Sequence, residues 1–235
     1  MVSVCMATYN GGKYLHEQID SIINQLDDND ELIISDDGST DSTVSIIESY
    51  KDKRIKLLKN KNHGINSNFE NALIHSKGDY ICLSDQDDIW LEGKIAFIKK
   101  ALLDCDLVVH NAEIIDGNGK SKGYDYFSYM HKGNGFWANW WKTRFLGCCM
   151  SFNRKLLNDV LPFPRKVVGH DYWIGMLGAA KYKVLFDNTI YLSYRRHGNN
   201  ASPSAEKSDN SLYYKLFEKR IPILWSIIIR YLHLG

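Results

Sequence analysis

The sequence predicts an α/β protein, a mostly parallel Rossmann-like sheet with helices on both faces, continued by a second half in one domain. Three observations carry that prediction. Short apolar runs of strand type alternate with amphipathic helical stretches through the first 110 residues, the pattern of parallel sheets covered on both faces. The chain has 235 residues, 44% of them hydrophobic, enough for one large core. The runs that read as strands one, two and four each end in a polar loop, and ligands of such sheets bind beyond the carboxyl ends of the strands.

The elements follow in order. Val2 to Ala7 reads as a strand, and Tyr14 to Leu26 as a helix carrying Leu15, Ile19, Ile22, Ile23 and Leu26 at helical spacing. Glu31 to Ser35 is a short buried-type strand before the polar run Asp36 to Asp41. Asp41 or Ser42 is a natural cap for the helix that holds Val44, Ile46 and Ile47. Arg54 to Leu58 is a third strand, Asn66 to Ser76 a helix closed by Gly78, and Asp79 to Leu83 a fourth strand ending in Ser84 to Asp88. Leu91 to Leu103 reads as a helix and Asp106 to His110 as a fifth strand. Residues 1–110 would thus form one half of the domain, with Thr8 to Gly12, Asp36 to Asp41 and Asp85 to Asp88 lining one crevice.

The second half, residues 111–205, is less regular. Gly117 to Gly135 reads as a long loop, followed by a segment to Phe145 that holds three Trp. Gly147 to Phe152 looks like a strand, Arg154 to Val160 a short helix and His170 to Ala180 a longer one. Val184 to Asp187 and Ile190 to Arg195 read as two further strands, and Asn199 to Asn210 as a polar stretch. The tail, residues 206–235, mixes Lys215, Lys219, Arg220 and Arg230 with Leu216, Phe217, Ile221, Leu224, Trp225 and Ile227 to Ile229. A basic amphipathic helix on an anionic membrane surface and a terminal helix docked on the domain both fit it.

Composition excludes several classes. A net charge of +1 gives no global field that would select nucleic acid. Cys5, Cys82, Cys105, Cys148 and Cys149 are odd in number and contain no C-x-x-C; they form neither a disulfide framework nor a zinc-finger spacing and suit a reducing cytoplasm. No leader sequence is expected ahead of Val2, and no apolar run reaches the length of a membrane span.

The chemistry sits in the loops. Asp85 and Asp87, one residue apart after a strand, offer hard oxygens that suit Mg²⁺ or Mn²⁺ against a diphosphate; an ordinary acidic turn has the same composition. In Asp36-Asp37-Gly38-Ser39-Thr40-Asp41, a carboxylate can accept from a pyrimidine N3–H or a ribose hydroxyl; a turn with a helix cap would also use these residues. Thr8-Tyr9-Asn10-Gly11-Gly12 allows close backbone approach to a ligand, but is neither G-x-G-x-x-G nor a Walker A loop.

In this order, the segments Ala7 to Gly11, Ser35 to Asp41 and Ser84 to Trp90 resemble the A-T-Y-N-G, S-D-D-G-S-T-D and S-D-Q-D-D-x-W motifs of family 2 glycosyltransferases with the GT-A fold. The nearest subgroup is that of bacterial O-antigen, capsule and rhamnan assembly. The resemblance extends from Val2 to about Asn200 and implies roles for individual residues. Thr8, Tyr9 and Asn10 would flank the nucleotide base; Asp36 and Asp37 would bind base and ribose, with Asp37 on the base. Asp85 would contact the donor's ribose or sugar, and Asp87 would ligate Mn²⁺ or Mg²⁺. Gly169-His170-Asp171-Tyr172-Trp173 resembles the segment that supplies the catalytic base, making Asp171 the base of an inverting transfer; a helix cap is the other reading of Asp171. Tyr194 to Asn200 resembles Y-R-x-H-G-N-N, which implies His197 as a further metal ligand and Arg195 or Arg196 on the diphosphate. Cys148, Cys149, His170 and Trp173 would line the acceptor side.

The resemblance implies a UDP-hexose or dTDP-rhamnose donor and a glycan acceptor carried on undecaprenyl diphosphate, at the cytoplasmic face of the inner membrane. Two other readings stand beside it: a non-catalytic nucleotide or sugar-binding module on the same scaffold, and a sugar-phosphate nucleotidyltransferase. Thr8 to Lys13 fits the basic phosphate loop of the last only loosely.

Overall fold

A computed structural model describes residues 1–130, 133–165, 169–198 and 214–234. Its centre is a single nine-stranded sheet. Strands β1 (Val2–Thr8), β2 (Glu31–Asp36), β3 (Ile55–Lys59) and β4 (Tyr80–Ser84) pair in parallel in the spatial order β3-β2-β1-β4. Helices α1 (Gly12–Ile23), α2 (Thr43–Ser49) and α3 (Ile65–Ile74) make the crossovers. Their sequence dictates the packing: Leu15, Ile19 and Ile22 fall on one face of α1 and are wholly buried, each stabilising the fold by about 1.5–3 kcal/mol. Because β1 lies between β2 and β4, successive connections leave it in opposite directions, and the loops after these strands border one crevice.

The sheet continues through β8 (Met150–Asn153), antiparallel to β4, then β6 (Leu107–Asp116), β9 (Val184–Arg196) and the two-residue β5 (Ile89–Trp90). Here the structure departs from several expectations. The fifth strand runs six residues past His110, because Asn111 to Asp116 pair with β9. The two expected strands around residue 190 are one strand, β9, whose register against β6 shifts beside Asn111. Ile89 and Trp90 are not loop; they pair with Ser193 and Leu192, so helix α4 (Lys94–Ala101) starts later than its apolar spacing suggested. Part of the expected long loop after Gly117 is β7 (Ser121–Asp125), paired with β6, and a single turn α5 (Tyr126–Tyr129) capped by Asp125, which accepts from Ser128 N at 2.9 Å. Gly147–Cys149 is a 3₁₀ turn leading into β8.

Helix α6 (Phe136–Trp141) carries the three tryptophans, α7 (Arg154–Val160) follows β8, and α8 (His170–Lys181) packs against α3, α6 and α7. The tail forms a π-helical stretch, Tyr214–Arg220, and α9 (Ile221–Leu234). One face of α9 buries Ile223 and Ile227, and Arg230 donates to Leu161 O at 2.9 Å. The opposite face leaves Ile221, Trp225, Ile228 and Leu232 exposed. The polar stretch Asn199 to Asn210 lies outside the described residues.

Candidate active site

The site is built at the tips of β1, β2 and β4. Thr8, at the end of β1, is buried and donates through Oγ1 to Asp36 Oδ1 at 3.0 Å. Asp36 also accepts from Gly38 N at 3.0 Å and Ser39 N at 2.8 Å, so it latches its own turn from inside. Asp37 turns to the other side, as strand periodicity requires. Its Oδ1 accepts from Asn60 Nδ2 and its Oδ2 from Gly64 N, both at 2.8 Å, and His63 Nδ1 stands 3.3 Å away. Of these two acids Asp37 has the more open side chain.

Tyr9 presents a ring that is 56% exposed. Its backbone is gripped at both ends by one side chain: Tyr9 N donates to Gln86 Oε1 at 2.9 Å, and Gln86 Nε2 donates to Tyr9 O at 3.1 Å. Gly11 is required beside this clamp, since a Cβ there would come within 2.2 Å of Gln86 Oε1. Asn10 holds a left-handed φ of 49° and accepts from Thr40 N at 2.8 Å, tying the first loop to the second; asparagine tolerates that conformation better than most residues.

The third loop concentrates acid. Gln18 of α1 holds its base, donating to Ser84 Oγ at 2.8 Å and Asp85 O at 2.9 Å. Asp85 has its pKa pushed up to about 7, first by burial and then by the negative charges of Asp87 and Asp171. Asp87 Oδ2 and His197 Nε2 are 2.8 Å apart. Burial pushes the Asp87 carboxyl up, while His197 pulls it back down. Asp88 is wholly buried; its Oδ1 accepts from Arg195 N at 3.0 Å, and among the described residues its Oδ2 makes no hydrogen bond of good geometry. Asp171, in the first turn of α8, accepts from Tyr172 N at 2.7 Å, and its charge reaches both Asp85 and Tyr126. The structure therefore sets Asp87 against His197 and brings Asp87 and Asp171 within electrostatic reach of Asp85, although these residues span more than a hundred residues of sequence.

Other expectations need correction. Arg195 is 2% exposed, so it does not reach out for a diphosphate. Its Nε donates to Asp87 O at 2.8 Å, its guanidinium pairs with Glu17, and it lies 4.6 Å over the Tyr14 ring, which also packs on His197. Arg196 hydrogen-bonds the buried Tyr194 phenol. Trp173 is fully buried and donates to Val160 O at 3.0 Å, which makes it a core residue and not an acceptor surface. Cys148 and Cys149 are likewise sealed from solvent by the turn that carries them. His170 is buried as well: its ring stacks on Phe69 at 3.9 Å, and its N donates to Asn66 Oδ1 at 2.9 Å. Burial lowers its pKa and favours the neutral imidazole. A Cβ on Gly147 would lie 2.8 Å from His170 Nε2, so only glycine clears that ring.

Three contributors were missed by the sequence reading. Gln86 stands at the Q of S-D-Q-D-D-x-W but was given no role, and Gln18 is an ordinary amide outside any motif. Lys94 reads as a helix-start lysine, yet it is wholly buried, donates to Cys148 O at 2.9 Å and lies 3.9 Å over the Trp90 ring. No sequence pattern marked it, because Trp90 belongs to β5 and Lys94 to α4, and only the fold brings them together.

The donor set at the cleft is carboxylate oxygen and imidazole nitrogen. That chemistry fits a hard or borderline divalent cation such as Mn²⁺ or Mg²⁺, and the direct Asp87–His197 contact supplies two converging ligand atoms.

Comparison with known proteins adds three findings. The family model described as "Glycosyl transferase family 2" matches residues 3–161. The chain is 30% identical over 224 residues to the dTDP-rhamnosyl transferase RfbG of Shigella flexneri, covering 83% of this chain and 72% of that protein. Two solved structures share the fold. One is S. aureus TarS 1-349 in complex with UDP-GlcNAc (TM-score 0.71, 18% identity, 97% of this chain and 66% of that one). The other is the mannosyltransferase PcManGT of Pyrobaculum calidifontis in complex with GDP-Man and Mn²⁺ (TM-score 0.61, 17% identity, 100% and 75%). Against several other bacterial glycosyltransferases the chain spans only 33–42% of their length.

Proposed function

This chain belongs to glycosyl transferase family 2, and from that premise we propose that it transfers a sugar, with inversion, from a UDP-hexose or dTDP-rhamnose to a glycan acceptor in bacterial surface polysaccharide assembly. The observation that carries the proposal is the convergence of Asp85, Asp87, His197 and Asp171, with Asp87 and His197 in contact at 2.8 Å. The dTDP-rhamnosyl transferase among the relatives supports the donor class.

In this reading the exposed Tyr9 ring and Asp37 receive the pyrimidine base, and Asp85 meets the ribose or sugar. Asp87 and His197 would hold Mn²⁺ or Mg²⁺. When bound, that cation would supply Lewis-acid stabilisation of the charge on the departing diphosphate. Asp171 accepts the proton of the acceptor hydroxyl while its oxygen attacks the anomeric carbon. The bond to the diphosphate oxygen breaks on the opposite face, and its electron pair leaves with the nucleoside diphosphate.

No helix among the described residues is long and apolar enough to cross a membrane. The outward stripe Ile221, Trp225, Ile228 and Leu232 on α9 supports peripheral contact with the cytoplasmic face of the inner membrane, where an undecaprenyl-diphosphate-linked acceptor would lie. The test is a screen of nucleotide sugars for cation-dependent binding and hydrolysis. UDP or dTDP donors should respond with Mn²⁺ or Mg²⁺ present, and Asp171→Asn should retain binding while losing transfer. Absence of any response from the folded protein would sink the reading.

A further inference from the structure

Beside Asp87, largely from the same loop, lies a second group of ligand atoms with no part in the transfer chemistry above as a set. One carboxylate oxygen each from Asp85 and Asp88 and the Sγ of Cys148 all lie within 4.8 Å of one another. Asp88 and Cys148 are fully buried. Asp88 Oδ1 accepts from Arg195 N, whereas Oδ2 is sealed from solvent and, among the described residues, makes no hydrogen bond of good geometry; the Cys148 thiol is the polar side chain that acts on this carboxyl. A buried carboxyl oxygen left without a good hydrogen bond is costly, and points to an absent ligand or ion.

We propose that Asp85, Asp88 and Cys148 form a seat for a thiophilic divalent cation of the Zn²⁺ class, separate from the Asp87–His197 pair. Sulfur selects the cation: a thiolate beside two carboxylates favours Zn²⁺ over Mg²⁺ or Ca²⁺. Charge supports it. One divalent cation would offset most of the charge of three anionic ligands, and the buried Lys94 stands beside them on Cys148 O. Geometry supports it too. Bond lengths of about 2.0–2.3 Å imply ligand atoms roughly 3.5 Å apart, a closure of about one ångström that side-chain rotation supplies. Lys94 fixes the 3₁₀ turn by its bond to Cys148 O, so the thiol is already aimed. Cys149 is not among the clustered ligand atoms; its thiol lies between Cys148 and His110. Binding releases the Cys148 proton to solvent, and no electron is transferred. The half-buried Asp85 is the entrance from the cleft.

If the donor reading holds, a cation seated here competes for Asp85, and Zn²⁺ inhibits transfer. That consequence rests on the proposed function; the seat itself does not. The test uses Co²⁺ as a spectroscopic stand-in for Zn²⁺. The folded chain should bind one equivalent with a near-ultraviolet thiolate-to-cobalt charge-transfer band, which excess Zn²⁺ removes. Cys148→Ala should abolish the band, Cys149→Ala should keep it, and Asp88→Asn should weaken Co²⁺ binding at least tenfold. If Cys148→Ala fails to fold by circular dichroism, Cys148→Ser reads the same loss. The absence of a band in the folded wild-type chain, or its persistence in the folded Cys148 variant, would overturn the proposal.

Discussion

At the tip of β2, Asp36 satisfies its oxygens from Gly38 and Ser39 within its own turn, helped by Thr8 from the neighbouring strand. At the tip of β4, Asp88 and Asp87 are held by Arg195 and His197, which arrive from β9 and the residues after it, 107 and 110 residues later. The first loop is a local motif that would keep its shape in many contexts. The second exists only when the whole sheet has closed. The same contrast divides two arginines. Arg54 grips Asp52 two residues away, with Nε 3.0 Å from Oδ1, while Arg195 joins Glu17 to Asp87 O across the width of the domain. In the proposed function, recognition of the base would therefore rest on preformed local structure, and the cation site on long-range assembly.

The strongest way to break this comparison is Asp87→Ala. It should lower transfer by roughly 10²–10³-fold or more, the scale of losing one electrostatic contact to the developing charge. Its melting temperature should stay equal or rise, because burial raises the Asp87 pKa and the ionised carboxylate costs stability in the fold. A clear fall in thermal midpoint would mean that the acid is structural. Next is Asp171→Asn, expected to cut kcat by about 10²–10⁴-fold and to leave nucleotide affinity unchanged. Equal losses of binding and turnover would reassign Asp171 to its other reading, a helix cap.

Arg195→Met should do the reverse of Asp87→Ala. It strips a partner from Asp87 O and should destabilise by about 1–3 kcal/mol, while Mn²⁺ affinity falls because the loop is no longer pinned. A variant with unchanged stability in urea titration would show that the long-range tie is dispensable. Gln86→Ala removes the clamp on Tyr9; nucleotide affinity should drop by roughly tenfold, equivalent to about 1.4 kcal/mol, with kcat nearly kept.

The smallest effect belongs to the local pair. Arg54 lowers the Asp52 carboxyl from its ordinary 3.8 to about 2. The unfolded chain therefore binds more protons between those values. Stability from this pair is fully present above about pH 4 and is lost as pH falls toward about 2. Asp52→Asn should cost no more than about 1 kcal/mol at neutral pH, as for other partly exposed pairs, and the difference from wild type should vanish in acid-unfolding curves below that window.

Much of this was legible beforehand. The parallel order of β1 to β4 followed from apolar runs separated by helical spacing, and the acids of the cleft stood in recognisable loops. The reading faltered where a residue's meaning depends on what covers it. Trp173 and Cys148 carry the composition of a binding surface and turned out to be interior. Arg195 has the charge for a phosphate and spends it on Glu17 and a carbonyl. Ile89 and Trp90 look like loop because two residues carry no periodicity of their own; only the arrival of β9 makes them a strand.

The sequence alone determined what local physics can encode: helix and strand periods, the turn at Gly38, the caps, and the acid-rich tips of the strands. The tertiary structure alone decided which of those acids meet His197, which arginine is spent internally, and that Lys94 and Cys148 lie under Asp88. Local elements are specified by neighbours a few residues apart. Burial and charge pairing are set by segments that meet only after the sheet has closed, and no short window of sequence contains that partner.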